Sequence, residues 1–210
     1  MTVATTIVLA THNAGKLAEL QRILDAQDLD VQLLSAGDVA LDEPAETGTT
    51  FADNALLKAR AGAAATGLAC LADDSGLVVD ALHGEPGVFS ARYAGKHGDD
   101  AANLALVLER MQGVSERTAR FVCVAALVTP QGEEATATGV LEGALTQQPR
   151  GDRGFGYDPI FQPLGATVTT AQMAPGDKDA ISHRGTAFRR IAAAVAAYAR
   201  GQSLPPRSTA

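Results

Sequence analysis

Leu71-Ala72-Asp73-Asp74-Ser75-Gly76-Leu77 places two adjacent carboxylates between two apolar runs. The run at residues 67–72 predicts a buried strand, Ser75-Gly76 predicts a short turn, and the apolar run resumes at residues 77–79. Because side chains alternate faces along a strand, the two carboxylates at its end point to opposite sides at the edge of the sheet. Such an edge is a common place to hold a divalent cation over a crevice.

A plain turn is the alternative interpretation of this stretch. Asp, Ser and Gly all form turns readily, so Asp73-Asp74-Ser75-Gly76 alone does not separate a surface turn from a metal or catalytic site. The choice depends on the other polar motifs of the chain.

Composition narrows the class of protein. A chain of 210 residues with 46% hydrophobic residues fits one α/β domain with a sizeable core. The net charge of -7 argues against non-specific binding to nucleic acid or to membranes. No apolar run approaches the length of a membrane helix, and no signal peptide is visible at the N-terminus. Cys70 and Cys123 lie in apolar runs and are expected to be buried thiols. We expect a cytoplasmic protein.

The order of elements predicts an α/β fold. Strands and helices alternate in the first half, a hairpin follows at residues 120–129 and 135–141, and a long helix lies near the C-terminus. We expect one domain over residues 1–200 and a frayed tail at residues 201–210. The other predicted elements are strands at residues 5–10 and 31–34 and helices at residues 14–26, 50–66, 103–111 and 186–199.

Thr11-His12-Asn13-Ala14-Gly15-Lys16 connects the first strand to the first helix, where backbone N–H groups and the helix dipole favour phosphate. Lys16 adds a positive charge there. The stretch is not a P-loop, because Ala10 stands in place of the first glycine and Leu17 in place of the residue that holds Mg²⁺. A capped helix with a solvated lysine is the alternative.

Three further motifs carry polar side chains in compact groups. Glu46 and Lys58 flank the start of a helix, where they could reach a metal near Asp74 or simply be solvated. Phe155-Gly156-Tyr157-Asp158 offers an aromatic face for a planar base, or an aromatic plug under a glycine-rich turn. Lys178, His183 and Arg184 could clamp an anion or a carbonyl group, or only cap helices and form surface pairs.

Together these segments resemble one family, the inosine/xanthosine triphosphate pyrophosphatases, which remove aberrant purine nucleotides. The resemblance extends from Thr11 to about Arg190. The segments that carry it, in order, are Thr11 to Lys16, Glu46-Thr47-Gly48, Asn54 to Arg60, Ala72 to Gly76, Pro86 to Tyr93, Gly154 to Phe161, and Ser182-His183-Arg184-Gly185.

The resemblance implies a fold and a role for each motif. The fold is an elongated mixed sheet flanked by helices, with two lobes around a central cleft, and the protein is expected to be a homodimer. Thr11 to Lys16 would bind phosphate, Asp74 would be the catalytic, metal-linked aspartate, and Ser75 would contact substrate. Base-binding positions would be Phe155, Gly156, Tyr157 and Asp158, with Lys178, His183 and Arg184 closing the pocket.

Charge accounting then predicts the chemistry. The carboxylates would repel a nucleoside triphosphate unless Mg²⁺, held by Asp74 with Glu46, bridges them to the phosphates. The positive charges of Lys16, Lys58 and Lys178 would neutralise the negative charge that shifts in the transition state. Cleavage between the α and β phosphates would give the monophosphate and pyrophosphate, which keeps aberrant bases out of DNA and RNA. The alternatives are a phosphatase that releases orthophosphate and a non-enzymatic nucleotide sensor.

Overall fold

The computed structural model describes residues 5–11, 14–25, 31–42 and 44–205. Its strands are β1 (Thr5–Leu9), β2 (Val31–Ser35), β3 (Ala69–Val79), β4 (Thr118–Val128), β5 (Glu134–Leu145) and β6 (Phe161–Pro163). Its α-helices are α1 (Ala14–Asp25), α2 (Phe51–Thr66), α3 (Asp100–Arg110), α4 (Pro175–Ile181) and α5 (His183–Ala199). In this part of the chain, no helix is both long and apolar enough to cross a membrane.

The described strands form one mixed sheet in the order β2-β1-β3-β4-β5-β6. Strand β1 pairs in parallel with β2 and with β3, while β5 pairs antiparallel with β6. The connection from β4 to β5 is too short for a parallel crossover and is closed by a bond from the Thr129 N–H to the Glu133 carbonyl. The predicted α/β class with a mixed sheet and a hairpin is therefore confirmed.

The start and end of α2 follow directly from the sequence. The Thr50 hydroxyl accepts a hydrogen bond from the Asp53 N–H, and the Asp53 carboxylate accepts one from the Thr50 N–H, which forms a capping box. Gly67 ends the helix in the left-handed conformation, which glycine adopts without steric cost. The predicted helix at residues 50–66 is confirmed.

The prediction of a turn at Ser75-Gly76 is wrong, because β3 continues without a break through both residues to Val79. Asp73 and Asp74 therefore lie within β3 rather than at its end. Strand β3 is an interior strand of the sheet, with β1 on one side and β4 on the other. Strand pairing and the buried residues Leu77 and Val79 override the turn propensity of the short polar residues. The pairing of β1 with β3 ends at Leu71, so both carboxylates lie beyond the last paired residue of β1.

The chain divides into two compact units. The first contains the described residues of Met1–Asp74, Cys123–Gly139 and Arg184–Ala210. In this unit, alternate residues of β1 face different helices: Ile7 and Leu9 pack with α1 and α5, whereas Val8 packs with α2. The first unit is therefore a layered structure with α1 and α5 on one face of its strands and α2 on the other.

The second unit contains Ser75–Val122 and Val140–His183 and has its own apolar core. Val107 and Met111 of α3 pack there against Leu77 of β3. The rings of Phe121 and Phe161 lie 4.3 Å apart at their centroids in a tilted arrangement. Aromatic packing therefore contributes to the core of the second unit. The single domain over residues 1–200 and the frayed tail stay predictions.

The packing of α2 on β3 makes a first prediction. A Cβ added to Gly62 would collide with the Cys70 sulfur and lie 3.3 Å from the Leu41 side chain. Overpacking costs about 1–3 kcal/mol, more than the ~1 kcal/mol of helix propensity that alanine adds. We expect Gly62→Ala to lower the free energy of unfolding in urea denaturation.

Two matched variants test the cause. Gly176→Ala makes the same exchange in α4, where an added Cβ meets no atom, so stability should stay equal or rise by about 0.5–1 kcal/mol. Cys70→Ala in the Gly62→Ala background removes the colliding sulfur and should recover part of the loss. A Gly62→Ala protein as stable as wild type contradicts this prediction.

Candidate active site

Strand alternation sends Asp73 and Asp74 to opposite faces of β3. Leu71 belongs to the core beside α1 and α5, and Ala72 belongs to the core beside α2. The same alternation places Asp73 with α1 and α5 and Asp74 with α2. The prediction that the two carboxylates point in opposite directions is confirmed by their partners.

Asp73 is buried among cations. Its Oδ2 lies 3.1 Å from Lys16 Nζ of α1 and 3.3 Å from Arg184 Nε of α5. The Cys123 sulfur lies 3.8 Å from the same oxygen. Burial acts to raise the pKa of Asp73, but the positive charges of Lys16, Arg184 and Lys58 outweigh it and hold the pKa well below its usual range. Asp73 is therefore ionised at any physiological pH.

Asp74 has a different environment on the other face. Its Oδ2 accepts a hydrogen bond of 3.0 Å from Asn54 Nδ2, and its Oδ1 lies 3.7 Å from Lys58 Nζ. Burial raises the pKa of Asp74, and the nearby Glu46 carboxylate also raises it, while Lys58 and the Asn54 hydrogen bond oppose the shift. Asp74 is therefore closer than Asp73 to the range in which a carboxylate accepts and releases protons.

Lys58 links the two acidic segments of the α2 side. Its Nζ donates to Glu46 Oε1 at 2.7 Å, and its side chain is buried. Burial acts to lower the pKa of Lys58, but Asp74, Asp73 and Glu46 together outweigh burial and raise it. Lys58 thus stays charged, and the predicted proximity of Glu46, Lys58 and Asp74 is present in the structure.

The two neighbouring aspartates therefore have pKa values shifted in opposite directions. Such a divergence is typical of sites in which one acid stays ionised while its neighbour exchanges protons. Asp73 holds Lys16 and Arg184 in place, and Asp74 can orient or deprotonate a water molecule. Lys16 and Lys58 supply positive charge suited to phosphate.

The predicted phosphate-binding turn is only partly described. Thr11 is buried, and its N–H donates to the Leu9 carbonyl at 2.8 Å. His12 and Asn13 lie outside the described residues. Ala14 and Gly15 begin α1, which places Lys16 in its first turn. The phosphate-binding role of this turn stays a prediction.

In the second unit, Asp158 organises the segment that was predicted to contact the base. Its Oδ2 accepts hydrogen bonds from the Phe155 N–H at 2.9 Å and from Lys178 Nζ at 2.6 Å. Its Oδ1 accepts a bond of 2.8 Å from the Thr170 hydroxyl. The Lys178 ammonium also lies 5.1 Å from the centroid of the Phe155 ring, a side chain that is 41% exposed. Asp158 thus fixes an aromatic ring and a cation side by side.

Tyr157 and His183 are held by packing within the second unit. The Tyr157 hydroxyl donates to the Ser90 carbonyl at 2.8 Å, and the His183 ring stacks on Phe121 with centroids 4.9 Å apart. The Gly156 N–H donates to the Asp100 carboxylate at 2.8 Å. These contacts order the segment, whose role in base recognition stays a prediction.

Arg184 and Ser75, two residues that were predicted to contact substrate, lie next to the aspartates. Arg184, predicted to close the base pocket, is buried with its Nε paired to Asp73. Ser75 lies half-buried in β3 directly after Asp74. Asn54 was not among the predicted site residues, although its spacing of four residues from Lys58 places both on one face of α2 and could have indicated a shared site.

The comparison with known families decides the identity of this arrangement. A sequence model of the Ham1 family matches residues 7–194. The chain belongs to the Ham1 family. The match includes every residue that was predicted to form the site.

Relatives of this Ham1 chain carry the name dITP/XTP pyrophosphatase. The Nocardia farcinica protein is 56% identical over 197 residues, which cover 92% of this chain and 96% of the relative. The Mycobacterium tuberculosis protein is 51% identical over 205 residues, which cover 96% of this chain and 100% of the relative. The similarity therefore extends over nearly the whole length of each protein.

Solved structures agree with this assignment. A HAM1 protein from Coxiella burnetii matches with a TM-score of 0.83 at 44% identity, covering 89% of this chain and 96% of that one. The dITP/XTP pyrophosphatase from Mycobacterium abscessus matches with a TM-score of 0.74 at 51% identity, covering 89% and 97%. The Ham1 fold, a mixed α/β sheet with flanking helices, is thereby confirmed.

The ion pairs of Asp73 make a second prediction. Removing one partner of a buried charge group costs about 3–5 kcal/mol, so Asp73→Asn should lower the free energy of unfolding at pH 7 by that amount. The matched change Asp80→Asn removes an exposed pair with Arg120 and should cost less than about 1 kcal/mol. Chemical denaturation of both variants measures the difference.

The effect of Asp73 has a defined pH dependence. Its pKa in the folded state lies below the unfolded value of about 3.9, so its stabilisation is present above that pH and is lost as the pH falls through the folded pKa. The difference in unfolding free energy between wild type and Asp73→Asn should therefore shrink below about pH 4. A difference that stays constant down to pH 2 would show that folding does not lower the pKa of Asp73.

Proposed function

We propose that this chain hydrolyses aberrant purine nucleoside triphosphates, such as those of inosine and xanthosine, to the monophosphate and pyrophosphate. The buried pair Asp73–Asp74, with its opposite pKa shifts and adjoining lysines, carries the proposal. The name dITP/XTP pyrophosphatase of relatives that align over nearly their full length supports the substrate class. Removal of such nucleotides would keep them out of DNA and RNA.

Magnesium fits the residues that would hold it. The described residues contain no group of three or more His, Cys, Asp or Glu side chains arranged to hold a metal. Mg²⁺ commonly uses one or two carboxylates together with substrate phosphates, and Asp74 and Glu46 offer such a pair. The Lys58 ammonium, 2.7 Å from Glu46 and 3.7 Å from Asp74, shows that the pair already attracts a cation. When bound, Mg²⁺ would neutralise phosphate charge as a Lewis acid.

Different side chains would transfer the proton, position the cations and bind phosphate. Asp74, whose pKa is raised, would take a proton from the attacking water. Asp73 would keep Lys16 and Arg184 in position, and Lys16 in the first turn of α1 would bind phosphate with the helix N-terminus. Burial raises the pKa of Cys70 to about 12, which disfavours its thiolate, so the proposed nucleophile is the water that Asp74 activates.

Base selection would depend on hydrogen-bond donors. Inosine and xanthosine carry a carbonyl group at the purine 6-position, where adenosine carries an amino group. A donor from Lys178 or Arg184, or a backbone N–H, would satisfy this carbonyl group with a hydrogen bond. With adenosine, the same donor would face the N–H donors of the amino group and would have no acceptor. A buried donor without a partner costs about 1–3 kcal/mol, which corresponds to roughly ten- to hundred-fold discrimination.

A homodimer in the cytoplasm is part of the proposal. Leu164 in the second unit is 83% exposed and Phe89 is 55% exposed, so each could add apolar contact area to a dimer interface. Both cysteines are buried thiols, as expected in a reducing compartment.

A nucleotide panel tests the proposed function. With Mg²⁺, inosine and xanthosine triphosphates, in ribo and deoxy forms, should give monophosphate and pyrophosphate, while adenosine triphosphate reacts at least about ten-fold more slowly. Chromatography of the nucleotide product and an assay for pyrophosphate measure both products. Orthophosphate as the first product would indicate a general phosphatase, and binding without turnover would indicate a sensor.

Asp74→Asn is the catalytic control in that panel. The amide keeps the size of the side chain but accepts no proton and is a poor metal ligand, so the rate should fall by about 10²-fold or more. Nucleotide binding, followed by calorimetry, should persist. Turnover near the wild-type rate at saturating Mg²⁺ would move the catalytic role to another carboxylate.

Lys58 makes a prediction that does not depend on turnover. Because its ammonium occupies the space between Glu46 and Asp74, free metal must compete with it. Lys58→Met should bind Mn²⁺ without nucleotide at least about 10-fold more tightly than wild type, as expected for loss of a nearby unit charge. Electron paramagnetic resonance of free Mn²⁺ measures the affinity.

Lys16→Met is the matched control for this measurement. It removes the same charge, but Lys16 Nζ pairs with Asp73, and its charge affects the pKa of Asp74 less than that of Lys58 does. Its Mn²⁺ affinity should stay within about three-fold of wild type, since its charge acts more weakly on the proposed metal ligands. Equal tightening in both variants would show a general field effect rather than competition at Glu46 and Asp74.

A further inference from the structure

Asn54 of α2 connects Asp74 to the loop that carries Glu46. Its side chain is 0% exposed. Asn54 Nδ2 donates to Asp74 Oδ2 at 3.0 Å, and Asn54 Oδ1 accepts from the Gly48 N–H at 2.8 Å. One amide group therefore contacts the proposed catalytic carboxylate and the backbone two residues after Glu46.

The two partners settle the orientation of this amide. The Gly48 N–H can only donate, so it requires the oxygen of Asn54. The Asp74 carboxylate accepts hydrogen bonds, so it requires the Asn54 NH₂ group. A flipped amide would set donor against donor and oxygen against oxygen in a buried place. Asn54 therefore has one arrangement that satisfies both partners.

Gly48 is adapted to this contact. A Cβ on Gly48 would lie 2.6 Å from Asn54 Oδ1 and 2.5 Å from the Asp53 Cβ. Only a residue without a side chain lets the loop approach the amide so closely. The Glu46-Thr47-Gly48 loop is thus held at a fixed distance from the start of α2.

The amide also fixes the orientation of the Asp74 carboxylate. Oδ2 is bound by Asn54, and Oδ1 lies 3.7 Å from Lys58 Nζ. We propose that Asn54 is a positioning residue for the reaction: the Gly48 N–H fixes the amide, and the amide fixes the Asp74 carboxylate so that Oδ1 faces the Lys58 ammonium. This inference rests on the proposed function, because it assigns Asp74 the catalytic role.

A double-mutant cycle with Asp74 tests the inference, using kcat and KM for inosine triphosphate at saturating Mg²⁺. Loss of a group that orients a catalytic side chain typically lowers activity by about 10–100-fold, so Asn54→Ala should lower kcat by that factor and change KM by less than about three-fold. In the Asp74→Asn background, Asn54→Ala should lower the residual kcat by less than about two-fold, because it acts through Asp74.

Asn103→Ala is the matched control. Asn103 is also a buried helical asparagine, and its Oδ1 also accepts a loop N–H, that of Ala94 at 2.8 Å. Within the described residues, however, its Nδ2 has no hydrogen-bond partner and therefore holds no carboxylate. Thermal unfolding of both variants gives their stability loss, and Asn103→Ala should keep kcat within about two-fold of wild type.

The outcomes are distinct. If Asn54→Ala does not fold, Asn54→Leu, which keeps about the size of the side chain and removes the amide donor without adding a charge, takes its place in the cycle with the same expected losses. The role of Asn54 is overturned if kcat of Asn54→Ala equals that of wild type, or if the losses of Asn54→Ala and Asp74→Asn multiply in the double variant. Turnover by the wild-type protein still upholds the proposed function in either case. Absence of turnover of any nucleoside triphosphate by wild type overturns the proposed function and this inference with it.

Discussion

The site depends on the alternation of side chains along β3. Because Asp73 and Asp74 are adjacent in one strand, they must lie on opposite faces, and each meets a different helical layer. Asp73 meets Lys16 of α1 and Arg184 of α5, which keep it ionised. Asp74 meets α2, where burial dominates and raises its pKa. A shift of register by one residue would exchange the two environments, so the strand pairing itself assigns the chemical roles.

Local signals were sufficient for most of the fold. The capping box at Thr50, the apolar runs of β1 and β4 and the hairpin between β4 and β5 all arise from residues close in sequence, and the structure confirms them. The turn expected at Ser75-Gly76 failed because strand pairing in the sheet is a long-range effect that outweighs the propensity of a few residues.

The sequence predicted which residues form the site better than it predicted which of them contact each other. The motifs identified Asp74, Glu46, Lys58 and Lys16 as a group. The structure brings Asp74, Glu46 and Lys58 together and pairs Lys16 with the neighbouring Asp73. The Asn54–Asp74 bond joins residues twenty positions apart and requires the relative placement of α2 and β3, which no local pattern contains. Arg184, separated from Asp73 by 111 positions, is a second example of the same limit.

The two cysteines of the chain lie on the two faces that the aspartates define. Cys70 is fully buried in the layer of α2, and Cys123 is fully buried in the layer of α1 and α5 beside Asp73. A thiol reagent reaches either sulfur only when its own helical layer separates from the strands. The chain therefore contains a native reporter on each side of the sheet, and separate labelling rates reveal which layer opens more often without any introduced probe.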